Sequence, residues 1–348
     1  MMLLEVNVNG SRLGDFLSLS REHPWELAPF SETLPDGGEI QVWDTGVLCI
    51  EPASPADKDI VLSCGIHGNE TAPIELCERL LRAIVAGRLP CRQRLLLIFG
   101  NPAAMNLGVR ELEENLNRLF SGAHARGGRH SRERERAARL EGHVARFFEA
   151  RQGVERLHYD LHTAIRPSAF EKFAIYPFPH GAPYSRQQLS FLAGAGVDTI
   201  LLAHGPTTTF SYFSAHRFGA HAFTVELGKV MPFGQNDARR FAAMERSLET
   251  LISDPGWQAA AVALDQIRVF RVCQEIIKQS DDFRFHFADE VANFTAFPAG
   301  TLLAEDGGQR WFVQEPEEAV IFPNARVANG HRAALMVVAT ELPPAQLS

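Results

Sequence analysis

The stretch Gly65-Ile66-His67-Gly68-Asn69-Glu70 lies between an apolar run and a helical pattern. Before it, Ile60 to Cys64 is the kind of apolar run expected of a buried parallel strand. After it, apolar residues recur with helical spacing from Ala72 to Val85. His67 and Glu70 are therefore expected on a turn at the carboxyl end of a strand, where open α/β sheets bind their ligands. An imidazole and a carboxylate this close together could hold one zinc ion.

The His-x-x-Glu spacing is weak by itself, because the chain contains it three times. The other two copies, His23 to Glu26 and His130 to Glu133, lie in polar sequence and follow no buried strand. His67 and Glu70 differ from the other two copies because a predicted buried strand precedes them and a predicted helix follows them.

Composition limits the class of protein. The chain has 348 residues and a net charge of -8, which allows one large domain with a smaller one and argues against nucleic acid or an anionic membrane as partner. No run approaches the ~20 apolar residues of a membrane span. Met1 to Gly10 has no basic region, so we expect no secretory signal. Five cysteines without a Cys-x-x-Cys pair predict reduced thiols in a cytoplasmic protein. Whether it forms a homo-oligomer stays open.

Strand and helix patterns alternate along the first 260 or so residues. This alternation predicts an α/β fold, with a mostly parallel mixed sheet and helices on both faces. The first forty residues favour no single element. The predicted elements are a hairpin at 40–50, strands at 60–64, 95–99, 157–161, 173–176, 199–203 and 221–225, and helices at 72–86, 132–150 and 237–252.

The pattern changes after about residue 260. Phe283, Phe285 and Phe287 alternate as in a strand, and Glu305 to Gly308 is typical of a hairpin turn. We therefore expect a zinc-dependent catalytic α/β domain over 1–261 and a small C-terminal β-rich domain over 262–348.

Polar residues at three predicted strand ends could converge: His67 with Glu70, His162, and Glu226. Two ligands close in sequence and one remote, with a fourth position left for water, are typical of catalytic zinc sites. Asp160 would face the same side of its strand as His162 and is a lesser candidate ligand. Each residue alone could equally be a hydrogen-bonded or solvated residue at a strand end, so the joint pattern decides.

Five motifs carry a resemblance to a known family: His67 to Glu70, Gly100 to Ala104, Asn117 to Phe120, Asp160 to Thr163, and Val225 to Gly228. In these the chain resembles the zinc carboxypeptidase superfamily, in its aspartoacylase/succinylglutamate desuccinylase branch. Within the branch, the desuccinylase members are the most similar at Asp160 to Arg166, Thr208 to Phe213 and Val225 to Val230. The resemblance extends from about residue 40 to the end.

The resemblance implies a zinc carboxypeptidase-like fold and one Zn²⁺ per subunit. By motif it assigns the zinc ligands to His67, Glu70 and His162, the general base to Glu226, a transition-state arginine to Arg110, and the binding of a substrate carboxylate to Asn117 and Arg118. One position departs from the family, which usually has aspartate where this chain has Asn115. A neutral amide can still accept a hydrogen bond from a zinc-binding histidine, but it raises the basicity of the ligand less.

The activity implied by the resemblance is hydrolysis of N-succinyl-L-glutamate to succinate and L-glutamate, the last step of arginine degradation by the succinyl route. Zinc would activate a water molecule, Glu226 would take its proton, and Arg110 would help to hold the oxyanion. The alternatives are an aspartoacylase-like hydrolase of other N-acyl amino acids, a peptide carboxypeptidase, and a non-catalytic zinc-dependent binding module. A C-terminal domain that narrows access would disfavour the peptidase. Lys229, Arg166 and Tyr212 could contact substrate, or equally be surface or packing residues.

Overall fold

A computed structural model describes residues 12–348. Met1 to Gly10, where we expect no secretory signal, lies outside the described residues. The strands are β1 Phe30–Thr33, β2 Glu39–Asp44, β3 Val47–Glu51, β4 Lys58–Cys64, β5 Arg94–Phe99, β6 Glu155–Ala164, β7 Phe173–Tyr176, β8 Thr199–Leu202, β9 His221–Lys229, β10 Arg268–Ile277, β11 Arg284–Phe285, β12 Thr295–Pro298, β13 Leu302–Asp306, β14 Gln309–Phe312, β15 Glu317–Ile321 and β16 Arg332–Thr340. The α-helices are α1 Phe16–Glu22, α2 Thr71–Val85, α3 Pro102–Leu107, α4 Arg132–Glu149, α5 Arg186–Gly194, α6 Phe210–Phe218 and α7 Ala242–Ser253.

One large mixed sheet organises the described chain. Its strand order is β1-β2-β3-β5-β4-β6-β9-β7-β8-β10-β16-β15-β12. At its centre β5, β4, β6 and β9 run parallel. Strand β7 is antiparallel to β9 and starts a second parallel group with β8 and β10. The predicted fold class is therefore confirmed: a mixed α/β sheet with a small C-terminal β part.

Helices cover both faces of the sheet centre. Helices α2, α5 and α7 pack on one face, and α4 and α6 pack on the other. In β4, Ile60 and Leu62 point to the first face and Val61 to the second, and all three are fully buried. Burying each such side chain stabilises the fold by roughly 1.5–3 kcal/mol. This two-sided burial explains the continuous apolar runs at 60–62 of β4 and 95–99 of β5.

Two glycines shape the turn between β4 and α2. Gly65 has a φ of +61°, a conformation that glycine adopts readily. A Cβ atom on Gly68 would lie 2.3 Å from the carbonyl carbon of Ala104 in α3. The N–H of Gly68 also donates to the carbonyl of Arg110 at 3.1 Å. The turn that carries His67 and Glu70 therefore packs directly against the backbone of α3 and of the loop that follows it.

The C-terminal strands continue the large sheet. Arg268 of β10 pairs with Thr199 of β8, and β16 then pairs with β10. Strands β11, β13 and β14 form a separate sheet, and the hairpin expected at Glu305 to Gly308 is confirmed by β13 and β14. The large sheet continues across the predicted boundary between 1–261 and 262–348, so its strands do not separate two domains. This division therefore stays a prediction.

The remaining predicted elements agree with the structure to within a few residues. The helix predicted at 237–252 begins with a 3₁₀ turn, Ala238–Arg240, before α7. Helices α3, α5 and α6 are absent from the predicted set, because elements of six to nine residues are too short to display a clear apolar stripe. The five cysteines are all free, and four of them are buried; their reduced state stays a prediction. No helix within residues 12–348 is long and apolar enough to cross a membrane.

A buried ion cluster around Asp44 ties the β2–β3 hairpin to α4. Asp44 is 4% exposed. Its Oδ2 lies 3.3 Å from Nη1 of Arg136 and 3.4 Å from Nε2 of His143, and its Oδ1 also meets Arg139. Burial opposes ionisation, but the hydrogen bond to His143 and the charges of the two arginines outweigh it and lower the pKa of Asp44.

We expect Asp44→Asn to destabilise the protein by about 3 kcal/mol at pH 7, because it leaves Arg136 buried without its counter-charge. The folded-state pKa of Asp44 lies below its unfolded value, so the stabilisation is present above the unfolded pKa of ~3.9 and is lost as the pH falls through the folded value. Urea unfolding of both proteins over this pH range measures the difference. Glu149→Gln is the control, because Glu149 meets Arg217 in an exposed pair, and it should change stability by less than about 1 kcal/mol. Equal stability of wild type and Asp44→Asn at neutral pH would contradict this role.

Candidate active site

Three buried side chains meet at the carboxyl edge of β4 and β6. His67 lies in the turn after β4, Glu70 precedes the first residue of α2, and His162 lies in β6; none is more than 3% exposed. Nδ1 of His67 lies 2.8 Å from Oε1 of Glu70, and Nδ1 of His162 lies 2.8 Å from Oε2. One ligand atom from each residue can be chosen so that all lie within 4.8 Å of one another. The three predicted metal ligands therefore form one cluster.

The other ring nitrogens face hydrogen-bond acceptors. Nε2 of His67 lies 3.0 Å from Oδ1 of Asn115, and Nε2 of His162 lies 2.8 Å from Oδ2 of Asp160. These acceptors favour the tautomers that carry hydrogen on Nε2, which leaves each Nδ1 lone pair free for a metal. The donor set thus fits a divalent metal ion. Asp160 supports His162 from behind and is not a member of the cluster, so its lesser candidacy as a ligand is not favoured.

Asn115 contacts the histidine that the family's aspartate would support. Its Oδ1 also accepts a hydrogen bond from the backbone N–H of Asn117 at 3.0 Å. That bond identifies the oxygen, rather than the amide nitrogen, as the atom facing His67. The neutral side chain therefore retains the acceptor, although it lacks the charge that makes a ligand more basic.

Glu226 lies beside the cluster on the neighbouring strand. It is the register partner of His162 where β6 pairs with β9, and it is 7% exposed. Its Oε2 is buried and has no hydrogen-bond partner in the described part of the chain. Burial and then the charge of Glu70 raise the pKa of Glu226 to about 7, against the opposite effects of His162 and Arg110. A carboxylate of this kind can take up and release a proton near neutral pH.

The two predicted arginines occupy different surroundings. Nη1 of Arg110 lies 2.6 Å from Oε1 of Glu70, and the side chain is 30% exposed. Arg118 reaches solvent, and its guanidinium donates to the carbonyl of Asn117 at 2.8 Å. Desolvation of the guanidinium by the surrounding protein, then the charges of Arg332 and Arg110, lower the pKa of Arg118 to about 10, against the charges of Glu111 and Glu226. Both cations and carboxylates therefore lie near Arg118, and its role in binding a substrate carboxylate stays a prediction.

Asn117 is anchored through its side-chain oxygen. Its Oδ1 accepts a hydrogen bond from the N–H of Phe210 at 2.9 Å. Its Nδ2 lies 3.3 Å from Nε2 of His162, which gives its own hydrogen to Asp160 and so accepts none from the amide. The residue is 3% exposed, and its carboxylate-binding role stays a prediction.

Arg332, at the start of β16, is a site candidate that the sequence does not indicate. No motif surrounds it, and only the folded chain brings it close enough for its charge to act on Arg118. The hydroxyl of Tyr212 lies 3.0 Å from Nε2 of His180, and its ring stacks on His216; substrate contact by Tyr212 stays a prediction. Lys229 is exposed and Arg166 half-buried, and both stay candidates for substrate contact.

Comparisons with known proteins agree with this geometry. The model of the Succinylglutamate desuccinylase/Aspartoacylase catalytic domain matches residues 56–252, and that of the AstE/AspA barrel-sandwich hybrid domain matches residues 265–340. A succinylglutamate desuccinylase from Idiomarina loihiensis is 54% identical over 93% of this chain and 95% of its own length. One from Shewanella sp. (strain MR-7) is 48% identical over 94% of this chain and 96% of its own.

Solved structures give the same result. The succinylglutamate desuccinylase from Chromobacterium violaceum superposes with a TM-score of 0.85 at 41% identity, covering 96% of this chain and 100% of that one. The one from Vibrio cholerae gives a TM-score of 0.84 at 36% identity, covering 95% and 97%. The chain therefore belongs to the succinylglutamate desuccinylase/aspartoacylase family, which confirms the resemblance found in its motifs.

We expect the purified protein to contain about one divalent metal ion per chain and to lose it when His67 and His162 are both changed to alanine, since two of the three ligands are then gone. Elemental analysis after gel filtration measures the metal. His286→Ala is the control, because His286 also pairs with a carboxylate, Glu305, at 3.3 Å; it should leave the metal content unchanged. Full metal retention by the double variant would exclude this ligand set.

Proposed function

We propose that this protein is a zinc-dependent amidohydrolase that cleaves N-succinyl-L-glutamate to succinate and L-glutamate. The observation that carries the proposal is the buried Oε2 of Glu226, which has no hydrogen-bond partner among residues 12–348 and lies beside the His67–Glu70–His162 cluster. A module that only bound metal would gain nothing from an unsatisfied carboxylate there, since burying one is costly. The choice of substrate rests on the relatives named succinylglutamate desuccinylase.

The cluster suits zinc. Two imidazoles and one carboxylate are a common catalytic zinc set, which leaves a fourth position open. When bound, zinc would lower the pKa of a water molecule and polarise the amide carbonyl of the substrate. His67, Glu70 and His162 would hold it, and Asn115 and Asp160 would orient the two histidines.

Glu226 would move the proton. Its Oε2 takes a proton from the attacking water, whose oxygen forms a bond to the succinyl carbonyl carbon. As the carbon–nitrogen bond breaks, Glu226 returns that proton to the amine nitrogen of glutamate. Its pKa of about 7 favours both halves of this cycle at neutral pH. Arg110 would stabilise the negative charge that develops on the carbonyl oxygen. Its contact with Glu70, a proposed metal ligand, places the guanidinium next to the metal cluster where that charge would form.

The substrate is anionic at three carboxylates, whereas the whole chain carries a net charge of -8. Binding therefore needs a local excess of positive charge. The charges of Arg110 and Arg332 both act on Arg118, and a guanidinium can hold a carboxylate through two parallel hydrogen bonds. Arg118 and Asn117 are the proposed clamp for one substrate carboxylate, and Arg332 extends the cationic surface from the C-terminal region.

The reaction would complete the degradation of arginine by the succinyl route. A cytoplasmic location is part of the proposal and is supported by the five free cysteines.

With zinc, we expect the wild-type protein to hydrolyse N-succinyl-glutamate faster than N-acetyl-aspartate or a dipeptide. Glu226→Gln should keep its metal but lose on the order of 10²–10⁴-fold in kcat, because the amide cannot accept the proton. Steady-state rates on the three substrates, with metal content measured for both proteins, make the test. A preference for N-acetyl-aspartate would favour an aspartoacylase-like enzyme, and no hydrolysis of any substrate would favour a binding module. Near-normal turnover by Glu226→Gln would remove this residue from the mechanism.

We expect Arg118→Met mainly to raise KM, because a clamp binds the substrate and the transition state alike. Arg110→Met should mainly lower kcat, by roughly 10²-fold or more, because its target charge develops only during attack. Steady-state kinetics on N-succinyl-glutamate separate the two effects. The assays use saturating zinc, so that weaker metal binding after loss of the Arg110–Glu70 contact does not affect the result. Arg217→Met, in an exposed pair on α6, is the control. If both variants changed only KM, Arg110 would be a second substrate clamp.

A further inference from the structure

A chain of buried hydrogen bonds leads away from the metal cluster behind His162. Oγ of Ser63 lies 2.6 Å from Oδ1 of Asp160 and 2.8 Å from Nε2 of His158. Nδ1 of His158 lies 2.7 Å from Oγ of Ser214. All four side chains are fully buried. We call Ser214, His158, Ser63 and Asp160 the polar relay; it connects α6 through β6 and β4 to the site.

The strand pattern places the relay in line with the site. His158 and Asp160 alternate along β6 with apolar residues that pack on the opposite face, so they share a face with His162. Ser63 and Asp160 are register partners where β4 pairs with β6. The relay is therefore built into the parallel centre of the sheet, where few atoms can move.

The hydrogen bonds of the relay can run in only one direction. His162 donates from Nε2 to Oδ2 of Asp160, and the other carboxylate oxygen accepts from Ser63. The single hydroxyl hydrogen of Ser63 goes to Asp160, so the Ser63 oxygen must accept from Nε2–H of His158. Nδ1 of His158 then carries a lone pair, which accepts from Ser214.

The protonation state of His158 agrees with this assignment. Burial lowers the pKa of His158 to about 4, against the charge of Asp160, so the ring is neutral and has one hydrogen to place. The other neutral tautomer would require Ser63 to donate to His158 and Asp160 with a single hydrogen. One of the buried acceptors would then lack a partner, at a cost of about 1–3 kcal/mol.

We propose that Ser63, His158 and Ser214 are positioning residues for the metal site: together they fix the carboxylate of Asp160, and through it the orientation and tautomer of His162. The inference rests on the metal site of the proposed function, and not on its substrate. Partners behind a metal ligand typically contribute 10–100-fold in metal affinity. A relay of four residues extends such support to a helix on one face of the sheet.

The chain supplies a matched control on the same helix. Ser211 of α6 is 1% exposed, and its Oγ lies 2.8 Å from Oγ1 of Thr224, outside the relay. Ser211→Ala and Ser214→Ala therefore remove the same buried group from the same helix, and only the second breaks the relay. His158→Gln and His158→Leu form a second pair, because glutamine can place an N–H near the position of Nε2 and leucine cannot.

The experiment measures the zinc dissociation constant by competition with a chromogenic chelator, and the urea midpoint of each metal-free variant in parallel. We expect Ser63→Ala and His158→Leu to weaken zinc binding about 10–100-fold, and Ser214→Ala to weaken it by less, in the same direction. His158→Gln should recover most of the affinity, and Ser211→Ala should bind zinc as the wild type does. Ser214→Ala provides the test if Ser63→Ala fails to fold.

Two outcomes would overturn the inference in distinguishable ways. If the wild type bound zinc and the relay variants bound it as tightly as Ser211→Ala, the relay would have only a packing role. If the wild type bound no zinc, the metal site of the proposed function would fail, and the relay with it. A loss of urea stability without a change in zinc affinity would likewise assign these residues to packing alone.

Discussion

The buried carboxylate of Glu70 is the group on which the arrangement of the site depends. Both its oxygens face an imidazole, and it also meets Arg110 and the N–H of Thr163. Burial alone would raise its pKa, but the two histidines outweigh burial and lower it. Four groups from three segments of the chain thus converge on one carboxylate. Arg110 and the N–H of Thr163 donate hydrogen bonds to it, as a buried charge requires, and the two imidazoles face it through the nitrogens that a metal would occupy. The turn after β4, the loop after α3 and the end of β6 are held together at this point.

Two buried arginines outside the site are paired with carboxylates. Arg94 meets the carboxylates of Glu51 and Asp59, and Arg136 meets Asp44. The pKa of Arg118 is lowered by desolvation, then by the charges of Arg332 and Arg110. The charges of Glu111 and Glu226 act in the opposite direction. In the proposed function, these arginines supply local positive charge for an anionic substrate in a chain whose net charge is -8.

Much of the fold could be predicted because the strongest signals are local. Strands β4 and β5 contain continuous apolar runs at 60–62 and 95–99, since both faces are covered. Helices α2 and α4 are long enough to show their buried stripes. Short helices such as α6 lack that signal. Nor does the sequence indicate that β10 extends the large sheet, because strand pairing across some 70 residues depends on packing that no local pattern records.

The sequence by itself determined the chemistry at the strand ends: the turn with His67 and Glu70, then His162, then Glu226, together with the motifs that define the family. Each is specified by its neighbours in the chain, so local patterns reveal it. Only the tertiary structure decided what surrounds them. Arg332 acts on Arg118 from the other end of the chain, and Ser63 bonds to His158 between neighbouring strands. Sheet register and helix packing determine which of these residues meet. Local patterns in a single sequence do not indicate contacts between segments so far apart.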